Sequence, residues 1–80
     1  MKVEKNKQAV AFGGVLKELR REAEMSQDAL AERADLERTF ISFLERGERQ
    51  PTISTILALA AALGIDADEM VRLTVKRLGR

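Results

Sequence analysis

The chain has 80 residues, enough for one hydrophobic core and no second domain. Its 14 basic and 13 acidic residues give a formal net charge of +1, so bulk charge does not argue for a polyanionic partner and any such argument must come from local placement. Without Cys or His there are no disulfides, no thiolate or imidazole chemistry and almost no zinc, copper or haem chemistry, so neither an enzyme nor a cofactor is expected.

Residues 1–8 carry Lys, Glu and Asn without helical periodicity and are expected to be a flexible N-terminus, with a basic arm as the other reading. No apolar run approaches the roughly 18 residues that span a bilayer, and the charged start leads into no apolar signal segment. A soluble, cytoplasmic protein without a membrane partner is expected. The core, with three Phe and no Trp or Tyr, must be mostly aliphatic, which suits packed helices and an all-α fold.

Residues 9–78 read as one domain and residues 79–80 as a tail. In the first helix, over residues 9–22, Phe12, Val15, Leu16 and Leu19 recur at helical spacing. Gly13 and Gly14 weaken it by about 1 kcal/mol each relative to Ala and mark either close packing or a late start. Ser26 is the N-cap of a short helix over residues 27–34, with Leu30, Ala31 and Ala34 inward. A third helix spans residues 37–46 until Gly47 stops it, and Thr52 caps a fourth that Gly64 ends. Asp66 and Glu69 form a D-x-x-E capping box for a fifth, with Ile65 and Met70 at the staple positions.

A helical wheel of the third helix puts Phe40, Ile41 and Leu44 on one arc and Arg38, Thr39, Ser42, Phe43 and Arg46 on the other. The second arc combines guanidinium, hydroxyl and aromatic groups that can meet base edges or a thymine methyl in a major groove. It is nearly free of acid, Glu45 lying between the arcs and Glu37 before them. An ordinary solvated face carries similar residues, but Phe43 is costly there unless it meets a base or a second subunit.

Phe12-Gly13, Leu16-Lys17-Glu18-Leu19-Arg20, Ser26 to Ala31, Arg38 to Ser42, Leu44 to Gly47, Pro51-Thr52-Ile53 and Ala62 to Ile65 together resemble the lambda-repressor/Cro-like, or Xre, helix-turn-helix family over residues 12–70. The resemblance implies a compact five-helix lambda-repressor-like domain that binds double-stranded DNA and regulates transcription, its third helix reading bases through Arg38, Thr39, Ser42 and Phe43. It further implies phosphate contacts from Gln27, Arg46, Arg49 and Thr52, and a structural ion pair between Arg20 and Glu45. The short members most similar to this chain are controller proteins of restriction-modification systems. Two departures stand out: Asp35 at the usual turn Gly and Glu37 at the usual Ser, Thr or Asp.

Residues 50–65 contain no charged side chain, so the fourth helix is expected to be buried nearly all round. Ile53, Ile56, Leu57, Ala60 and Leu63 are assigned to the core, leaving Thr55, Leu59 and Ala62, with Val71, Val75 and Leu78 of the fifth helix, for a homodimer. The two reading helices would then lie about 34 Å apart, one DNA turn, on a roughly palindromic operator. The competing class is an antitoxin-like protein-interaction module on the same fold. A small-molecule ligand is not expected.

Overall fold

The computed structural model describes residues 6–79, and within them the chain forms five helices: α1 (Lys7–Glu22), α2 (Gln27–Ala34), α3 (Arg38–Glu45), α4 (Ile53–Leu63) and α5 (Ala67–Arg77). The segment expected to be a flexible N-terminus, or alternatively a basic arm, falls mostly on residues 1–5, outside the described residues, as does Arg80 of the tail. Helix α1 starts two residues before the expected position because Asn6 caps it, its Oδ1 accepting from the amides of Gln8 at 2.9 Å and Ala9 at 3.1 Å.

Capping chemistry sets the other boundaries. Ser26 Oγ accepts from Ala29 N at 3.0 Å, and Thr52 Oγ1 from Thr55 N at 3.1 Å. Helices α2, α3 and α4 each end on a left-handed residue, Asp35 (φ 57°), Gly47 (φ 73°) and Gly64 (φ 74°). After each of these a backbone amide returns to the last turn: Leu36 to Ala31 O, Glu48 to Phe43 O and Ile65 to Ala60 O, at 2.9, 2.9 and 3.0 Å. Asp35 therefore does what a glycine does at such a turn, since a short polar side chain tolerates this conformation. The Asp66–Glu69 capping box does not form. Asp66 makes no side-chain cap bond, and Glu69 pairs with Arg72 one turn further along α5.

Helix α1 packs on α3 and α5, α2 on α3 and α4, and α4 on α5. Leu16, Leu30, Ile41, Leu44, Leu59 and Met70 are fully enclosed at the centre. This arrangement corrects the rotation expected for α4: Leu59 is 0% exposed in the monomer, whereas Ile53 is 76% and Leu57 55% exposed. Leu59 is thus a core residue and cannot present its side chain to a second subunit. With no charge anywhere on α4, the apolar pattern has no polar landmark to fix its phase.

Candidate nucleic-acid interface

The position of α3 is set from behind by a main-chain contact with α1. A Cβ built on Gly13 would stand 2.2 Å from Leu44 O and 2.9 Å from Glu45 O, so only a residue without a side chain lets the last turn of α3 approach this closely. Gly13 thus marks close packing, not a late helix start. At the other end of α3, Glu37 makes no side-chain cap, and its carbonyl accepts from Phe40 N at 3.0 Å and Ile41 N at 3.2 Å.

A second tie is ionic. Arg20 Nε donates to Glu45 Oε2 at 2.6 Å and Arg20 Nη2 to Glu45 Oε1 at 2.9 Å, while Nη1 reaches Met25 O at 2.8 Å. The two side chains are 11% and 4% exposed. Gln27 Nε2 adds a bond to Glu45 Oε1 at 3.0 Å, so α1, the α1–α2 turn, α2 and α3 meet on one carboxylate. Burial alone would push the Glu45 carboxyl up, but the bonds from Arg20 and Gln27, with the charges of Arg20 and Lys17, outweigh it and hold the group below the usual range. The bond to Glu45 correspondingly pushes Arg20 up against the opposing effect of burial.

Opposite these ties lies the outward face of α3. Arg38 and Thr39 are exposed, Ser42 and Phe43 half-buried, and Arg46 and Arg49 exposed beside them. Phe43 has partners within its own chain, since the guanidinium carbons of Arg46 and Arg49 lie 5.2 and 5.0 Å from its ring centroid. Its exposure therefore does not by itself demand an external partner.

The expectation that this face is nearly free of acid is corrected by the fold. Glu48 folds back over it, with Arg46 Nε 2.8 Å from Glu48 Oε2 and Nη2 3.3 Å from Oε1, and Asp28 of α2 approaches Arg38 at 3.4 Å. Arg46 Nη1 also donates to Ser42 Oγ. The bond to Glu48 pushes the Arg46 guanidinium up. Neither carboxylate is on α3, so a wheel of that helix could not reveal them.

Gln27 sits at the N-terminus of α2, partly buried, with its amide nitrogen on Glu45. Thr52, exposed at the start of α4, shares a hydrogen bond with the Thr55 hydroxyl at 3.0 Å. Thr55, Ala62 and Leu78 are half-buried, while Val71 and Val75 are exposed at 46% and 41%. Ile53 and Leu57, assigned to the core by pattern, belong instead with these exposed apolar groups, as does Val10.

Comparison with known proteins agrees with this geometry. The helix-turn-helix family profile matches residues 16–70. The chain is 39% identical over 62 residues to the immunity repressor protein of Bacillus phage phi105, covering 78% of this chain but only 43% of that longer repressor. It is 37% identical over 62 residues to the control protein C.MunI of Mycoplasma sp., covering 76% and 84% of the two chains. Among solved structures, the restriction-modification controller protein C.Esp1396I, crystallised as a tetramer with its natural 35 base-pair operator, superposes with a TM-score of 0.82 at 27% identity, over 91% of this chain and 96% of that one. No described helix is long and apolar enough to cross a membrane. With more than half of its length matched by the profile and its five helices arranged as in a controller protein, the chain belongs to the helix-turn-helix family.

Proposed function

We propose that this protein is a sequence-specific regulator of transcription that binds double-stranded DNA as a homodimer on a roughly palindromic operator. The observation that carries this reading is the two-sidedness of α3: Gly13 and the Arg20–Glu45 pair fix its inner side, while Arg38, Thr39, Ser42 and Phe43 face outward. A helix held this firmly and bearing guanidinium, hydroxyl and aromatic groups suits base readout in a major groove. Arg46, Arg49, Gln27 and Thr52 surround it as phosphate contacts that set register without reading sequence. The protein acts as a binding module in the cytoplasm, not as an enzyme.

The dimer face is drawn on α4 and α5, where Ile53, Leu57, Val71 and Val75 are exposed and Thr55, Ala62 and Leu78 lie at its margin. Four large aliphatic side chains on two packed helices are more apolar surface than a small monomer readily leaves to water. Likeness to C.MunI and C.Esp1396I supports the narrower role of a restriction-modification controller. Footprinting on DNA upstream of the protein's own gene tests both levels, with two protected half-sites one turn apart expected. Arg38→Ala should weaken operator binding by about 1–3 kcal/mol and relax preference at one position per half-site. An unaltered base preference would remove Arg38 from the reading set.

A further inference from the structure

Glu48 plays no part in the reading above, yet it touches the residues that do. Its position is set by the main chain: Gly47 takes the left-handed conformation, and Glu48 N donates to Phe43 O at 2.9 Å, turning the side chain back over the end of α3. There the two carboxylate oxygens meet two nitrogens of Arg46, at 2.8 and 3.3 Å. A phosphate diester offers a guanidinium the same paired acceptors. Both side chains remain open to solvent, 51% and 37% exposed, so a competing anion can reach the pair. Asp28 approaches Arg38 differently, through one contact at 3.4 Å, and imitates no fork.

Resting on the DNA-binding reading, we propose that Glu48 is an internal surrogate for a DNA phosphate, which fills the fork of Arg46 in the free protein and is exchanged for the backbone when a duplex docks. The exchange also involves the reading face. In the free protein Arg46 donates to Ser42 Oγ and lies over Phe43, so turning Arg46 to a phosphate uncovers a hydroxyl and one face of a ring that can then meet a base. Glu48 is thereby an affinity-setting residue: every duplex must displace it before Arg46 contributes. Weak encounters with random sequence are held back as a result.

The test is a double-variant cycle on two duplexes, the footprinted operator and a 20-base-pair random sequence, at one low salt concentration. Glu48→Gln keeps the shape of the side chain and removes its charge, and should tighten binding to both by about twofold to fivefold, the range of an exposed ion pair. In an Arg46→Gln background the same change should give no gain. A gain that persists without Arg46, or that Glu37→Gln reproduces at the other end of α3, shows a general charge effect and overturns the surrogate role while leaving DNA binding intact. Wild-type protein that binds neither duplex overturns the DNA-binding reading and this proposal together. In the free protein, Arg46 Nε–H should exchange slowly with water and lose that protection in Glu48→Gln. Equal exchange in the two proteins would show that the pair does not hold in solution.

Discussion

Two adjacent glycines of α1 should respond differently to alanine, Gly13 with a loss of stability and Gly14 without one. Replacing Gly by Ala inside a helix gains about 1 kcal/mol, because the glycine backbone loses more freedom on folding. At Gly13 the new methyl would lie 2.2 Å from Leu44 O, more than 1 Å inside ordinary contact, with Glu45 O at 2.9 Å. Overpacking costs about 1–3 kcal/mol where side chains can shift. Here the obstacles are main-chain carbonyls, so the upper end applies, and after the propensity gain Gly13→Ala should lose about 2 kcal/mol. For a chain of this size that lowers Tm by about 8–16 °C. At Gly14 the nearest obstacle is the guanidinium of Arg77, at 2.7 Å, the far end of a flexible side chain whose pair with Glu18 is exposed. It can swing aside at about 0–1 kcal/mol, leaving Gly14→Ala neutral or stabilised. Thermal unfolding followed by circular dichroism at matched concentration decides the matter. A Gly13→Ala protein that melts at or above wild type would refute the claim that α1 and α3 touch backbone to backbone.

Leu57→Glu should leave the monomer folded, because Leu57 is more than half exposed, but give monomeric species in sedimentation velocity and much poorer operator binding. Leu59→Ala, at a fully enclosed site, should cost about 2–5 kcal/mol of stability, and a Leu59→Ala protein as stable as wild type would contradict the rotation of α4. Glu45 is held below the usual carboxylate range, so its contribution is complete above the unfolded pKa and is lost as pH falls through that range toward the lowered folded value. Arg20→Met removes the bidentate partner from an almost enclosed carboxylate and should cost about 3–5 kcal/mol. It should also reverse the sign, stability now rising as pH falls because the folded state gains the proton, as denaturant melts across acid pH would show. Arg46→Ala and Arg49→Ala should each lower affinity for all duplexes and make the salt dependence shallower by about one unit of slope. A loss confined to one sequence would instead make either residue a base reader.

Local signals located the helices well, because caps and stops are written in single residues. Ser26, Thr52, Gly47 and Gly64 act where their chemistry places them. Asn6 carries the same kind of signal, but it lies among charged residues ahead of the apolar periodicity, so α1 begins two residues before the point that periodicity indicates. Asp66 and Glu69 have the right spacing for a box, yet Arg72 offers Glu69 a charged partner that pattern reading does not weigh. The phase of α4 was beyond reach for a different reason: Ile53 and Leu57 are as apolar as Leu59, and only the packing of α4 against α2 and α5 selects which of them is enclosed. Glu48 and Asp28 show the same limit on the outward face, since they arrive from a turn and a neighbouring helix.

The buried ion pair is best understood through the direction it imposes. Exchanging such a pair for well-packed hydrophobic side chains often costs nothing in stability, so stability alone does not explain Arg20 and Glu45. A hydrophobic contact, however, tolerates rotation of one helix against another, whereas a planar fork accepts a carboxylate from only a narrow range of angles. Arg20 is itself oriented by Met25 O, and Gln27 fixes the remaining freedom of Glu45 from the side of α2. Rotation of α3 about its axis is therefore resisted at Glu45, and the close approach of Gly13 to Leu44 O resists its retreat. Since successive residues on a helix lie about 100° apart, even a modest turn would carry Arg38 and Ser42 off the outward face that is proposed to read bases. The chemistry behind α3 thus fixes the aim of the side chains in front of it.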